Sequence, residues 1–165
     1  MTSEPQRKTF ADEGEFVVGA AEVVRAWDDL AGESLLIGLQ GPLGSGKTTW
    51  VRGMLSGLGY AGRVPSPTYT LVEQYPLDNL TVIHADLYRL DAGADRDLDA
   101  LGIRDWLARE ATWVLVEWPE RSPSLLANAD LSIRFESLSE HGRAVIFTPC
   151  TATGTAAIEK LAPGS

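Results

Sequence analysis

Ser34-Leu35-Leu36-Ile37-Gly38-Leu39-Gln40-Gly41-Pro42-Leu43-Gly44-Ser45-Gly46-Lys47-Thr48-Thr49 is the stretch on which the fold turns. Residues 34–40 form a short apolar run of strand length, residues 41–46 are rich in glycine, and residues 47–58 read as a helix ending near Gly57 and Gly59. Gly41 to Thr48 satisfies G-x-x-x-x-G-K-[ST] in the context that motif requires, a strand before it and a helix after it. Glycines at this spacing let backbone N–H groups turn inward around a phosphate, and the following helix offers its positive end to the same anion. Lys47 is expected to reach the β- and γ-phosphates, and the Thr48 hydroxyl to ligate Mg²⁺. Gly41, Gly44, Ser45, Gly46, Lys47 and Thr48 are therefore the expected nucleotide-binding residues.

Magnesium on a nucleotide needs carboxylate help, commonly from an acid at the end of a neighbouring strand. Two acids stand in that position. Glu117 follows the apolar run 113–116, and Asp86 follows the run 80–85. Either could hold the metal, with the other orienting the attacking water, and the sequence leaves the choice open. The proline-stiffened loop Val64-Pro65-Ser66-Pro67-Thr68-Tyr69 follows the glycine-loop helix, and Thr68 is its candidate for bringing a hydroxyl to the γ-phosphate side.

Further out, Asp12 and Glu15 read as a capping box for an amphipathic helix over roughly 13–31, with Gly32 as its stop. Residues 69–75 and 80–85 read as strands joined by the turn Pro76-Leu77-Asp78-Asn79. Residues 91–110 are acidic and helix-prone, 112–116 is a buried strand, and 129–135 with 143–148 suggest a late hairpin. The expected class is α/β, a P-loop NTPase-like three-layer fold with a mixed central sheet. The expected organisation is a flexible lead-in over 1–9, a single P-loop domain over 10–149 and a tail over 150–165. Trp50, Trp106 and Trp113 read as core, His84 as structural, and Asp91, Asp95, Asp97 and Asp99 as a solvated face. His141 and Arg143, near the late turn, are placed beside the nucleotide base.

Composition narrows the function. The 165 residues suit one domain, and 44% hydrophobic with 22% charged residues argues against wholesale disorder. A net charge of −9 argues against holding nucleic acid on a general basic face. One cysteine and two histidines exclude an intrachain disulfide and make a Cys- or His-based metal site a poor expectation. No apolar run approaches membrane-spanning length and no secretory signal is visible, so a cytoplasmic protein is expected.

Taken in order, GPLGSGKTTWVRG (41–53), VPSPTYTLVEQY (64–75), HADLYRL (84–90) and VEWPER (116–121) resemble the bacterial TsaE family, over about residues 10–148. The resemblance implies a small Mg²⁺-dependent ATPase of tRNA threonylcarbamoyladenosine biosynthesis. It implies ATP/ADP as the nucleotide and TsaB and TsaD as partners, with TsaD modifying adenosine 37 and tRNA met only through that complex. It places Gly44 to Thr49 on the nucleotide loop, Thr48 and Glu117 on the magnesium site, and Asp86 on a residue important for hydrolysis. Thr68 falls in the switch-like loop and Trp118 beside the acidic site. Pro42 and Ser45 depart from the family's usual acid and alanine, and Pro42 removes one backbone donor from the loop.

Two other classes fit the glycine loop. A small-molecule kinase would need a mobile, arginine-bearing lid, and no lid-like arginine cluster is present in the sequence. A non-catalytic switch would bind nucleotide only to change its affinity for a partner.

Overall fold

The computed structural model describes residues 3–68, 70–90 and 102–161. Its element order is β1 (Gln6–Phe10), α1 (Glu13–Ala26), β2 (Leu35–Gln40), α2 (Lys47–Gly57), β3 (Val72–Pro76), β4 (Thr81–Asp86), α3 (Ile103–Leu107), β5 (Thr112–Glu117), α4 (Pro123–Asn128), β6 (Leu131–Ser137), β7 (Arg143–Pro149) and α5 (Ala152–Glu159). The strands form one seven-stranded sheet in the order β1-β7-β6-β2-β5-β4-β3. β6, β2, β5 and β4 run parallel at its centre; β7 and β3 run against them on either side, and β1 pairs antiparallel with β7 at the outer edge. The mixed sheet expected from the two hairpins is the one observed.

Apolar residues continuous along the central strands bury both faces, as parallel strands require. Leu35, Ile37, Leu39, Trp113 and Leu115 point to the face covered by α1, α2 and α5, while Leu36, Val114 and Val116 point to the face covered by α3 and α4. α1 and α2 cross closely because both offer small residues. A Cβ on Gly53 would stand 2.8 Å from the Ala20 Cβ and 2.8 Å from the Val17 carbonyl, and one on Gly57 would stand 2.7 Å from the Ala21 Cα. Gly57 is thus a packing glycine on the last turn of the helix. Beneath the glycine loop, Trp50 lies within 5.0–6.0 Å, centroid to centroid, of Phe10, Phe16, Phe135 and Phe147.

The structure differs from the sequence reading at the edges. The stretch read as a lead-in supplies β1, an edge strand whose residues pair with 143–147 of β7. The stretch after Cys150, read as a tail, folds into α5, capped by the Thr151 side chain, which accepts from the Gly154 N–H. α1 stops at Ala26, since Trp27 turns inward to give its indole N–H to the Ala157 carbonyl at 2.9 Å, and a 3₁₀ turn follows over 28–30. The Asp12 cap forms, but the Glu15 carboxylate reaches the Ala11 amide, one residue before the cap. Of the acidic helix read over 91–110, residues 91–101 and with them Asp91, Asp95, Asp97 and Asp99 lie outside the described residues, as does Tyr69. No described helix is long and apolar enough to cross a membrane.

Candidate functional site

The carboxyl ends of β2, β5 and β4 lie side by side, and the parallel register sets Leu39 against Glu117 and Glu117 against Asp86. Ligands in open α/β sheets bind at that end of the strands. The loop leaving β2 turns there through Gly44 (φ 78°) and Gly46 (φ 101°), left-handed positions that suit glycine. No side chain caps the start of α2, so its first amides are left for a ligand. The loop also closes on itself, for Ser45 N–H donates to the Pro42 carbonyl at 3.1 Å. The Ser45 hydroxyl is turned inward, buried and without a partner among the described residues, so Ser45 serves the loop through its backbone.

The Lys47 ammonium donates to the carbonyls of Gly41 (2.6 Å) and Pro42 (3.1 Å) and stands 4.4 Å from the Trp118 ring centroid. Pro42 therefore contributes an acceptor where its missing N–H contributes nothing. Burial holds the Lys47 pKa below the ordinary lysine value, against the opposing pull of Glu117, Asp86 and Glu120.

Glu117 and Asp86 have different neighbours. The Thr48 hydroxyl lies 2.9 Å and 3.2 Å from the two Glu117 carboxylate oxygens, and His84 Nε2 lies 2.6 Å from Oε2. Asp86 instead accepts from the Thr68 hydroxyl at 2.9 Å and from the Tyr88 N–H at 2.8 Å. Thr68 spends its proton on Asp86, so in their 2.8 Å contact Ser66 donates to Thr68. The loop carrying Thr68 is pinned by Leu71, a non-glycine residue at φ 67°, whose N–H donates to the Pro67 carbonyl and whose carbonyl accepts from Asp86 N–H.

These groups face a cavity of about 260 Å³. Gly44, Gly46, Lys47, Thr48, Thr49, Thr68, Asp86, Glu117 and Trp118, all predicted from sequence, contribute to its wall, whereas Gly41 and Ser45 do not line it. A second cavity of about 390 Å³ adjoins it across Gly44, Gly46 and Thr49 and reaches His141 and Arg143. Among the described residues no group of three or more His, Cys, Asp or Glu side chains is placed to hold a metal by itself. The donors fit a cation that brings phosphate oxygens of its own, the usual situation for Mg²⁺.

A family model described as "Threonylcarbamoyl adenosine biosynthesis protein TsaE" matches residues 16–145. The chain belongs to the TsaE family. A Treponema pallidum protein named tRNA threonylcarbamoyladenosine biosynthesis protein TsaE is 32% identical over 130 residues, 76% of this chain and 93% of that protein. The Haemophilus influenzae protein of the same name is 43% identical over 105 residues, 63% of this chain and 64% of that protein, so the match spans just under two thirds of the relative's length. The crystal structure of Bacillus subtilis YdiB has the same fold, with a TM-score of 0.73 at 24% identity over 98% of this chain and 95% of that one.

The TsaE match takes in every residue around the first cavity but leaves out Asp12, Glu13 and Gly14, which line the second. The sequence reading did not place those three in the site, because only the packing of α1 on α2 brings them to the loop. Ser66 and Tyr88 were also missed as wall residues. Their signal was their place within two residues of Thr68 and Asp86.

Proposed function

We propose that this TsaE protein binds and hydrolyses ATP with Mg²⁺, acting on a TsaB–TsaD complex in tRNA threonylcarbamoyladenosine biosynthesis. One observation carries the reading: Lys47, Thr48, Glu117, Asp86 and Thr68 converge on a single cavity at the glycine loop. The relatives' names support the pathway.

The triphosphate lies along the loop, with amides from Gly44 onward and the start of α2 facing its oxygens. Lys47 leaves the Gly41 and Pro42 carbonyls for the β- and γ-phosphates, and Trp118 backs it. The second cavity, beyond Thr49, takes the nucleoside, with His141 and Arg143 at its border. Thr48 and Glu117 are the residues that would hold Mg²⁺, whose chemistry when bound is to neutralise charge on the phosphate oxygens. Asp86 is tied to Thr68 on the opposite loop and orients the attacking water. The net charge of −9 accords with tRNA being met only through partners.

The test is free-phosphate release from Mg-ATP by the chain alone and with its cognate TsaB–TsaD pair. Slow release alone, strong stimulation by the pair and loss of both in Lys47→Ala are expected. No stimulation of a folded, nucleotide-bound protein would overturn the partner-completed ATPase. Phosphate transferred to a metabolite would establish a kinase instead.

A further inference from the structure

His84 lies within β4, fully buried, with Val82 and Asp86 to either side of it on the same sheet face. The register pairs it with Leu115 of β5 and Glu73 of β3. Glu117 shares the face of Leu115, and this brings the imidazole beside its carboxylate, Nε2 to Oε2 at 2.6 Å. The other ring nitrogen, Nδ1, is buried and has no hydrogen-bond partner among the described residues. A histidine present only to fill this space would bring an unpaired polar atom into the core and add nothing that an apolar side chain of its size lacks. What the ring adds is one directed bond.

That bond makes the two Glu117 oxygens unequal. Among the described residues, Oε2 is met by His84 at 2.6 Å and by Thr48 at 2.9 Å, whereas Oε1 has only the longer 3.2 Å approach of Thr48. We propose that His84 is a positioning residue for Glu117, saturating Oε2, fixing the rotation of the carboxylate and leaving Oε1 as the oxygen with capacity for a cation. The proposal rests on the reading of this cavity as a Mg-nucleotide site. His84 touches neither nucleotide nor cation; it acts through Glu117, as outer-shell partners of metal ligands do.

The experiment titrates the full chain with a fluorescent ADP analogue, once with Mg²⁺ and once with EDTA, and records melting by circular dichroism. For the wild type, Mg²⁺ is expected to tighten binding. In His84→Met that gain shrinks by about tenfold or more, the low end for an outer-shell partner, while affinity in EDTA is unchanged. His84→Gln returns a donor close to the position of Nε2 and restores the gain. A His84→Met protein that keeps the wild-type gain overturns the proposal, and so does His84→Gln failing as badly as His84→Met when both melt like the wild type. A wild type with no gain from Mg²⁺ overturns the reading of the site itself and the proposal with it. If His84→Met does not fold, His84→Asn decides, because its amide nitrogen falls near Nδ1 and leaves Oε2 unmet. Loss of the gain in that variant supports the proposal, and a retained gain overturns it.

Discussion

The Thr48 hydroxyl meets the Glu117 carboxylate at 2.9 Å, joining the first turn of α2 to the end of β5. Eighteen residues separate the other such pair, Thr68 and Asp86, also 2.9 Å apart. Each acid therefore has its own hydroxyl, one on the glycine loop's helix and one on the loop over the cavity. The two carboxylates thus sit in different surroundings at the same strand ends.

Glu117→Gln and Asp86→Asn should fail in different ways. Glu117→Gln is expected to raise the Mg²⁺ concentration for half-maximal hydrolysis by at least about tenfold. Asp86→Asn is expected to lower kcat by about 100-fold or more, the scale of a lost general base, with nucleotide affinity little changed. Thr68→Val should reproduce the Asp86 phenotype in weaker form. Steady-state kinetics across a Mg²⁺ series reads all three, and identical profiles for the two acid variants would refute that difference.

The pH dependence of nucleotide binding should report Lys47. Its pKa is lowered by burial, so the free protein loses that cation at a lower pH than an ordinary lysine would. Phosphate needs the cation, so affinity should fall with rising pH on the alkaline side, beginning below the usual value of 10.5. The stability linkage has the opposite sign. A folded-state pKa below the unfolded one disfavours folding while the amine is charged, and that cost is relieved as pH rises from the folded value towards the unfolded one. Lys47→Met should therefore melt at or above the wild-type temperature at pH 7 while losing nucleotide. Calorimetric titration from pH 7 upward, with melting curves beside it, checks both signs.

Much of this site was legible because its parts are local. The strand-loop-helix of 34–58 is contiguous, and both acids end apolar runs, so their places at strand ends followed from pattern alone. What stayed hidden depends on neighbours in space. β1 is an edge strand reading Gln-Arg-Lys-Thr-Phe, half exposed and with no apolar run to betray it. α5 is built mostly of Ala, Thr and Gly, whose helical signal is weak without the sheet it packs on. His84 looked like any core residue until β4 and β5 were known to be adjacent and in register.

Gly53→Ala should destabilise the fold, although alanine is the better helix former. The added methyl would stand 2.8 Å from the Val17 carbonyl. Backbone on the facing helix cannot swing aside as a side chain can, so α1 and α2 must separate. A loss of about 1–3 kcal/mol, the usual cost of overpacking, is expected in urea melts with an unchanged m-value. A gain in stability would mean that the two helices approach less closely than described.

Tyr75→Phe should do the reverse. Tyr75 is buried beside Tyr60, with ring centroids 5.0 Å apart, and its hydroxyl has no hydrogen-bond partner among the described residues. Removing that hydroxyl relieves an unsatisfied buried group and should add about 1 kcal/mol. The phenol pKa is pushed up to about 12, chiefly by burial, with Glu73 adding to it. An unfolded tyrosine ionises near 10, so the fold favours the neutral form. That preference leaves stability unchanged with pH below about pH 10 and lowers it as pH climbs towards 12. Melting curves from pH 7 to 11 should show the wild type losing stability above pH 10 more steeply than Tyr75→Phe. Parallel curves would place the hydroxyl in contact with water.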